Sequence, residues 1–159
     1  MGSRTNVSVR ALLRDDEGRL ILIRRERPGR TPYWVTPGGG VETDDPSLGE
    51  ALRRELREEL GAEVTLGEVV ATWEAGGVTT HLFEASLISL DESLRHGPEL
   101  SDRDPARGTY TIVRVPATRD ALSAIDLVPE VVREAVLRAD PGCLRAMARA
   151  HGQGGQQAE

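Results

Sequence analysis

Three glutamates, Glu55, Glu58 and Glu59, stand at i, i+3 and i+4 in the run Ser47–Leu60 (SLGEALRRELREEL). On an α-helix those positions share about 100° of arc. Like charges on one face repel, so the arrangement needs an offset. Arg53, Arg54 and Arg57 supply part of it, and a bound hard cation would supply more. Carboxylates are the ligands that Mg²⁺ and Mn²⁺ prefer, and Mg²⁺ is normally shared with substrate phosphates and water. Taken alone, such a string mostly describes a solvated surface helix. Its surroundings change that reading. Pro37-Gly38-Gly39-Gly40 follows Trp34, and Asp44 and Asp45 precede the helix. Glycines there let the chain turn tightly and let backbone N–H groups approach a phosphate or brace a helix end.

The elements that must position these residues can be read from periodicity. Leu48, Leu52, Leu56 and Leu60 form one apolar stripe on the helix, Ser47 can cap its start and Gly61 can end it. Asn6–Arg14 alternates around Val7, Val9, Ala11 and Leu13. With Arg19–Arg24 it predicts a hairpin closed at Asp15-Asp16-Glu17-Gly18. Arg25–Thr31 reads as a loop, Tyr33–Thr36 as a short aromatic stretch, and Pro37–Gly40 as a break in regular structure. Glu63–Ala75 reads as strand interrupted at Gly67, Gly76-Gly77 as a turn, and Val78–Leu90 as strand. Asp91–Gly108 is a long polar loop, of the kind that is usually functional or disordered. Thr109–Val115 is a strand, Thr118–Ala124 a short helix, and Pro129–Ala139 and Pro141–His151 further helices. Residues 1–151 are expected to form one α/β domain, and the Gly/Gln-rich segment 152–159 a disordered tail.

Composition narrows the function classes. The 159 residues carry 26 acids against 20 bases, net −6, and every base is arginine. That balance disfavours a nucleic-acid binder. One cysteine, Cys143, excludes an internal disulfide framework and a multi-cysteine zinc site. No apolar run is long enough to span a membrane, and MGSRTNVSVR lacks a signal core, so the expected location is cytoplasmic.

Residues Gly39–Ala62 resemble the Nudix box, Gly-x5-Glu-x7-Arg-Glu-U-x-Glu-Glu-x-Gly-U with U aliphatic. Arg54, Glu55, Leu56, Arg57, Glu58, Glu59, Leu60, Gly61 and Ala62 match its second half without a gap. In the first half, counting back from Arg54 puts Pro46 at the box's first Glu. One extra residue ahead of the helix instead pairs Gly39 with Asp45, which keeps an acid there and lets Pro46-Ser47 begin the helix. The resemblance implies an α/β fold, the Nudix-like α/β/α sandwich with a mixed β-sheet. It also implies Mg²⁺-dependent hydrolysis of a nucleoside diphosphate linked to another moiety.

Carried onto this chain, the resemblance makes Glu55, Glu58 and Glu59 ligands of Mg²⁺, with Mn²⁺ as an alternative. Glu58 and Glu59 are also candidates for catalysis. Arg54 would pair with Asp45 at the loop–helix junction, and Gly39 and Gly40 would permit the turn that aims the helix. A further base could come from the long loop, where Glu99 in Gly97-Pro98-Glu99 is the first choice over Glu92, Asp102 and Asp104. Arg24 or Arg25, at a strand end, are the candidates for the diphosphate, ahead of Arg27 and Arg30. Tyr33 is the candidate platform for a base. Trp34 and Phe83 read as core, and Trp73 stays open between the two. His81 reads as a strand histidine, while His96 could touch substrate. The competing function is a non-catalytic nucleotide-sensing module of the same fold, followed by an acidic-helix interaction protein. The substrate within the small-nucleotide class and any homodimer are left open.

Overall fold

Alternation along the first two strands sets the layering. In β1 (Arg4–Arg14), Val9, Ala11 and Leu13 enter one apolar cluster and Leu12 the other. In β2 (Leu20–Glu26), Ile21 and Ile23 go with the first set, Leu20 and Leu22 with the second. Successive strand residues face opposite sides, so a strand that is apolar on both must be covered on both. Each fully buried Leu or Ile contributes roughly 1.5–3 kcal/mol.

The computed structural model describes residues 2–96 and 107–139. After β2 come β3 (Tyr33–Val35), β4 (Gly38–Glu42), α1 (Leu48–Leu60), β5 (Ala62–Ala75) and β6 (Val78–Leu90). A 3₁₀ turn (Glu92–Leu94), β7 (Thr109–Val115), α2 (Arg119–Ser123) and α3 (Glu130–Ala139) complete the described elements. The sheet runs β3-β2-β1-β6-β5, with β4 also paired to β1 and β7 to β2. The β1–β6 pair is parallel and the others are antiparallel, so the sheet is mixed. α1 covers one face through Ala51, Leu52, Leu56 and Leu60. α2 and α3 cover the other through Leu122, Val132, Ala135 and Val136. This is the expected α/β/α sandwich. Among the described residues, no helix is long and apolar enough to cross a membrane.

Two local expectations are corrected. Gly38–Glu42 is a strand, paired antiparallel with β1 through Ser8↔Gly40, Val9↔Gly39 and Arg10↔Gly38. The glycines admit this pairing because the backbones approach too closely for a side chain at Gly38. Gly67 does not split β5 in two. The pairing with β6 instead shifts between Leu66↔Ala85 and Val69↔Phe83, a bulge within one strand. The β1–β2 turn has Gly18 at φ 76. Asp15 there is buried, which pushes its carboxyl pKa up, but hydrogen bonds from Arg114, Arg19 and Glu17 outweigh this and hold it below the usual value. The expected helix Pro141–His151, Cys143 and the tail lie outside the described residues.

Candidate active site

Helix α1 is closed at both ends by its own sequence. The Ser47 hydroxyl accepts from Glu50 N–H, and Gly61 at φ 65 donates back to Arg57 and Leu56 carbonyls. The segment after β6 then ties down the last turn. His96 N–H donates to the Glu58 carbonyl at 2.8 Å, Arg95 Nε to the Glu59 carbonyl at 2.8 Å, and Asp91 N–H to the Gly61 carbonyl at 3.0 Å. Arg95 also brings a cation to the negative end of the helix dipole. The last-turn glutamates are therefore held on a backbone with little freedom.

Arg54 is the centre of the charged face. Its Nε and Nη2 donate to the two oxygens of Asp45, each at 2.9 Å. Nη2 also reaches the Gly40 carbonyl at 3.0 Å, and Nη1 reaches Glu55 Oε1 at 2.9 Å and Glu58 Oε2 at 3.5 Å. Asp45 in turn accepts from Glu42 N–H at 2.8 Å. One guanidinium thus ties the acidic turn, β4 and the helix together. The Arg54 hydrogen bonds hold Asp45 below the usual carboxylate range against the opposing effect of burial, and Asp45 raises Arg54 in return.

A carboxyl whose folded pKa is lowered stabilises the fold above its ordinary value near 3.9, and that contribution is lost as pH falls through the folded pKa. Asp45→Asn is expected to cost about 2 kcal/mol at pH 7, as for a charge-assisted pair. The gap between variant and parent should close below pH ~4. Urea unfolding at pH 7 and in that acid range measures both.

The carboxylates meet the glycine strand at one place. Gly38 N–H donates to Glu59 Oε2 at 2.9 Å. A Cβ added at Gly39 would lie 2.4 Å from the Glu55 carboxyl carbon, so the Glu55 carboxylate occupies the space that glycine leaves. Glu55, Glu59, Gly38, Gly39 and Gly40 line one pocket of about 220 Å³ with Arg4, Arg10, Arg25, Val35 and Tyr110. Arg25 is clamped there. Its guanidinium lies 4.2 Å from the Tyr110 ring centre and 5.7 Å from that of Tyr33, and its Nη2 donates to the Tyr110 hydroxyl. Among the described residues, the buried Arg25 Nε has no hydrogen-bond partner.

Beside this pocket lies a second of about 200 Å³, lined by Arg10, Val35, Thr36, Trp73, Thr80, Val128 and Pro129. Trp34 N–H bonds the Asp126 carbonyl at 2.8 Å and Val128 N–H the Trp34 carbonyl at 3.0 Å, which seats Val128-Pro129 against β3. Arg10 and Val35 are common to both pockets.

Among the described residues, no three Asp, Glu, His or Cys side chains form a ready metal-binding group. Arg54 lies between Glu55 and Glu58. Glu55 and Glu59 nevertheless line one pocket as hard oxygen donors over a glycine cradle. Mg²⁺ usually takes only one or two carboxylates and completes its shell with phosphates and water. The donor set fits that ion.

Several candidates stand elsewhere than expected. Arg24 faces away from Arg25, because neighbours in a strand alternate sides. It pairs with Glu26 at 2.7 Å and lies over Trp34 at 5.4 Å, outside the glutamate pocket. Tyr33 stacks on Arg25 and does not line either pocket. His81, by contrast, is the strand histidine expected, bonding Thr72 across the β5–β6 pair at 3.0 Å. Glu99 lies outside the described residues. Arg4, Arg10 and Tyr110 were not singled out for the site from sequence. The available signal was Arg10 itself, a charge next to Leu12 on a strand face that must also be covered.

A family model described as NUDIX domain matches residues 4–105. The chain is 40% identical over 79 residues to CTP pyrophosphohydrolase of Escherichia coli (strain K12), covering 48% of this chain and 58% of that protein. It is 41% identical over 59 residues to nucleoside triphosphatase NudI of Escherichia coli O139:H28 (strain E24377A / ETEC), covering 36% of this chain and 41% of that one. The chain thus spans less than two thirds of the length of these curated relatives. The solution structure of the E. coli ORF135 protein is similar at a TM-score of 0.54 and 27% identity, covering 94% of each chain.

Proposed function

We propose, from the premise that this chain belongs to the NUDIX domain family, that it hydrolyses the phosphoric anhydride of a nucleoside diphosphate linked to another group, with Mg²⁺ as cofactor and Mn²⁺ as an alternative. One observation carries the reading. Glu55 and Glu59 of α1 and the glycines Gly38–Gly40 line one pocket together with Arg4, Arg10 and Arg25. Such a site offers oxygen ligands for a cation and cationic donors for a polyphosphate side by side. The names of both curated relatives refer to nucleoside triphosphates, which supports that class of substrate here. The partner is a small nucleotide in the cytoplasm, with no nucleic acid.

Glu55 and Glu59 would hold the cation, with Glu58 joining them when Arg54 releases it. Bound there, the ion would supply charge neutralisation and Lewis-acid polarisation of the phosphoryl oxygens. Arg25, stiffened by its two tyrosines, would grip a phosphate oxygen through donors that include its unpartnered Nε. Arg4 would add charge at the rim. Glu59, fixed by Gly38 N–H, would orient the attacking water and take its proton. Water oxygen attacks phosphorus, the anhydride P–O bond breaks, and the leaving phosphate departs with the bond's electron pair. The second pocket, which shares Arg10 and Val35 with the first, would take the nucleobase between Trp73 and Val128-Pro129. A purely sensing module would need the arginines and that slot but not the paired carboxylates.

The test is a panel of nucleoside triphosphates and nucleoside diphosphate conjugates, with and without Mg²⁺. Expected is phosphate or pyrophosphate release that EDTA abolishes and that Mg²⁺ or Mn²⁺ restores. Release unaffected by EDTA would remove the cation from the reading.

A further inference from the structure

Arg10 is out of keeping with its strand. Val9 and Ala11 on either side are fully buried, and Leu12, on its own face, is buried as well. A half-buried cation between covered faces costs solvation and needs partners. Among the described residues, its only hydrogen bond is from Nη1 to the Thr36 carbonyl at 3.0 Å, and it makes no ion pair. That bond fixes the guanidinium plane without neutralising it. Arg10 lines both the glutamate pocket and the Trp73 slot. Thr80, buried, and Thr36 are the polar side chains beside it in the slot. The rest of that lining is Val35, Val128, Pro129 and Trp73, which offer surface for stacking and no charge.

We propose that Arg10 is a specificity-determining residue that selects nucleobases presenting two adjacent hydrogen-bond acceptors to its remaining donors. This rests on the reading of the slot as the base site. A guanidinium is donor-only and planar, so a bidentate contact wants paired acceptors. Guanine offers O6 with N7, and cytosine offers O2 with N3. Adenine places its amino donor beside N7 and leaves one Arg10 donor facing another donor. The slot is thereby set against adenine, while Arg25 and the glutamates serve every base alike.

The experiment compares GTP, CTP and ATP under Mg²⁺, with kcat and KM resolved, in the parent protein, Arg10→Met and Arg10→Lys. The parent is expected to favour GTP or CTP over ATP by about 10-fold or more, in the range of a good bidentate contact. Arg10→Met should bring that ratio toward one, with the change carried by KM. Arg10→Lys keeps the charge and loses the fork, so it too should lose discrimination. Trp fluorescence titration with GMP, CMP and AMP should show the same narrowing in affinity, which a folding defect common to all ligands would not produce. A ratio preserved in both variants, or losses equal across all three bases, overturns the assignment. No hydrolysis by the parent of any triphosphate, with base-selective binding that depends on Arg10, would overturn the hydrolase reading and leave this one standing.

Discussion

Glu59→Gln is expected to reduce nucleotide hydrolysis by roughly 10²–10⁴-fold, the range for losing a positioned acid–base group. The substitution is nearly isosteric. A glutamine still presents an oxygen to Gly38 N–H, which now donates to Glu59 Oε2 at 2.9 Å. The last turn of α1 keeps its other ties, from Arg95 to the Glu59 carbonyl and from His96 to the Glu58 carbonyl. The fold should therefore survive and the chemistry should not. What is removed is one negative charge from a pocket that Arg4, Arg10 and Arg25 also line. Without it, the site binds a cation less well and has no anionic oxygen there to receive a proton. Steady-state rates, with thermal unfolding run alongside, separate the two effects. An active Glu59→Gln protein would show that the Glu59 carboxylate, bonded to Gly38 of β4, is structural.

Gly38→Ala should damage the fold severely. Gly38 sits at φ +145, and a Cβ there would lie 2.1 Å from the Val9 carbonyl oxygen and 2.8 Å from Arg10 Cα. Both neighbours are backbone of the central strand and cannot step aside. Strain and collision together should cost about 3 kcal/mol or more, a fall of roughly 10 °C in Tm. The next two glycines give the contrast. At Gly39 the atoms nearest the added methyl are those of the Glu55 carboxylate, the far end of a side chain, so Gly39→Ala should lose activity by displacing Glu55 while leaving Tm nearly unchanged. At Gly40 nothing lies within 4 Å of an added Cβ, so Gly40→Ala should change stability by less than about 0.5 kcal/mol. Three neighbouring glycines thus give three separable outcomes, readable by thermal melts and rate assays on the same preparations.

These glycines also show how far the sequence could be read. The Pro37–Gly40 run looked like a break in structure, because glycine weakens an isolated strand. Its actual reason for glycine is another chain: β4 lies against β1, distant in sequence, and no local pattern carries that pairing. Elements whose cause is local were legible. The leucine repeat and both caps of α1 are written within its own run, and the alternation of Val7, Val9, Ala11 and Leu13 is period two along β1. The parallel β1–β6 pair and the bulge at Gly67 depend on partners far along the chain.

The same division holds in the site. Arg54 and Asp45 belong to a spacing pattern and could be paired on paper. The pocket's Arg4 and Arg10 come from β1 and its Tyr110 from β7, brought together by sheet order. Arg24 was separated from Arg25 by strand alternation, a rule available in advance once β2 was seen to extend through Glu26. Of the chain's 26 acids and 20 arginines, Glu55 and Glu59 meet Arg4, Arg10 and Arg25 in the lining of one pocket.

The central claim is that this pocket cleaves a phosphoric anhydride instead of only holding a nucleotide. Its most direct test is ³¹P NMR of the purified protein with Mg²⁺ and each common nucleoside triphosphate, followed to completion. The substrate resonances are expected to give way to those of a nucleoside monophosphate and pyrophosphate, or of a diphosphate and orthophosphate. Unchanged spectra across the panel, with tight nucleotide binding in the same tubes, would contradict it.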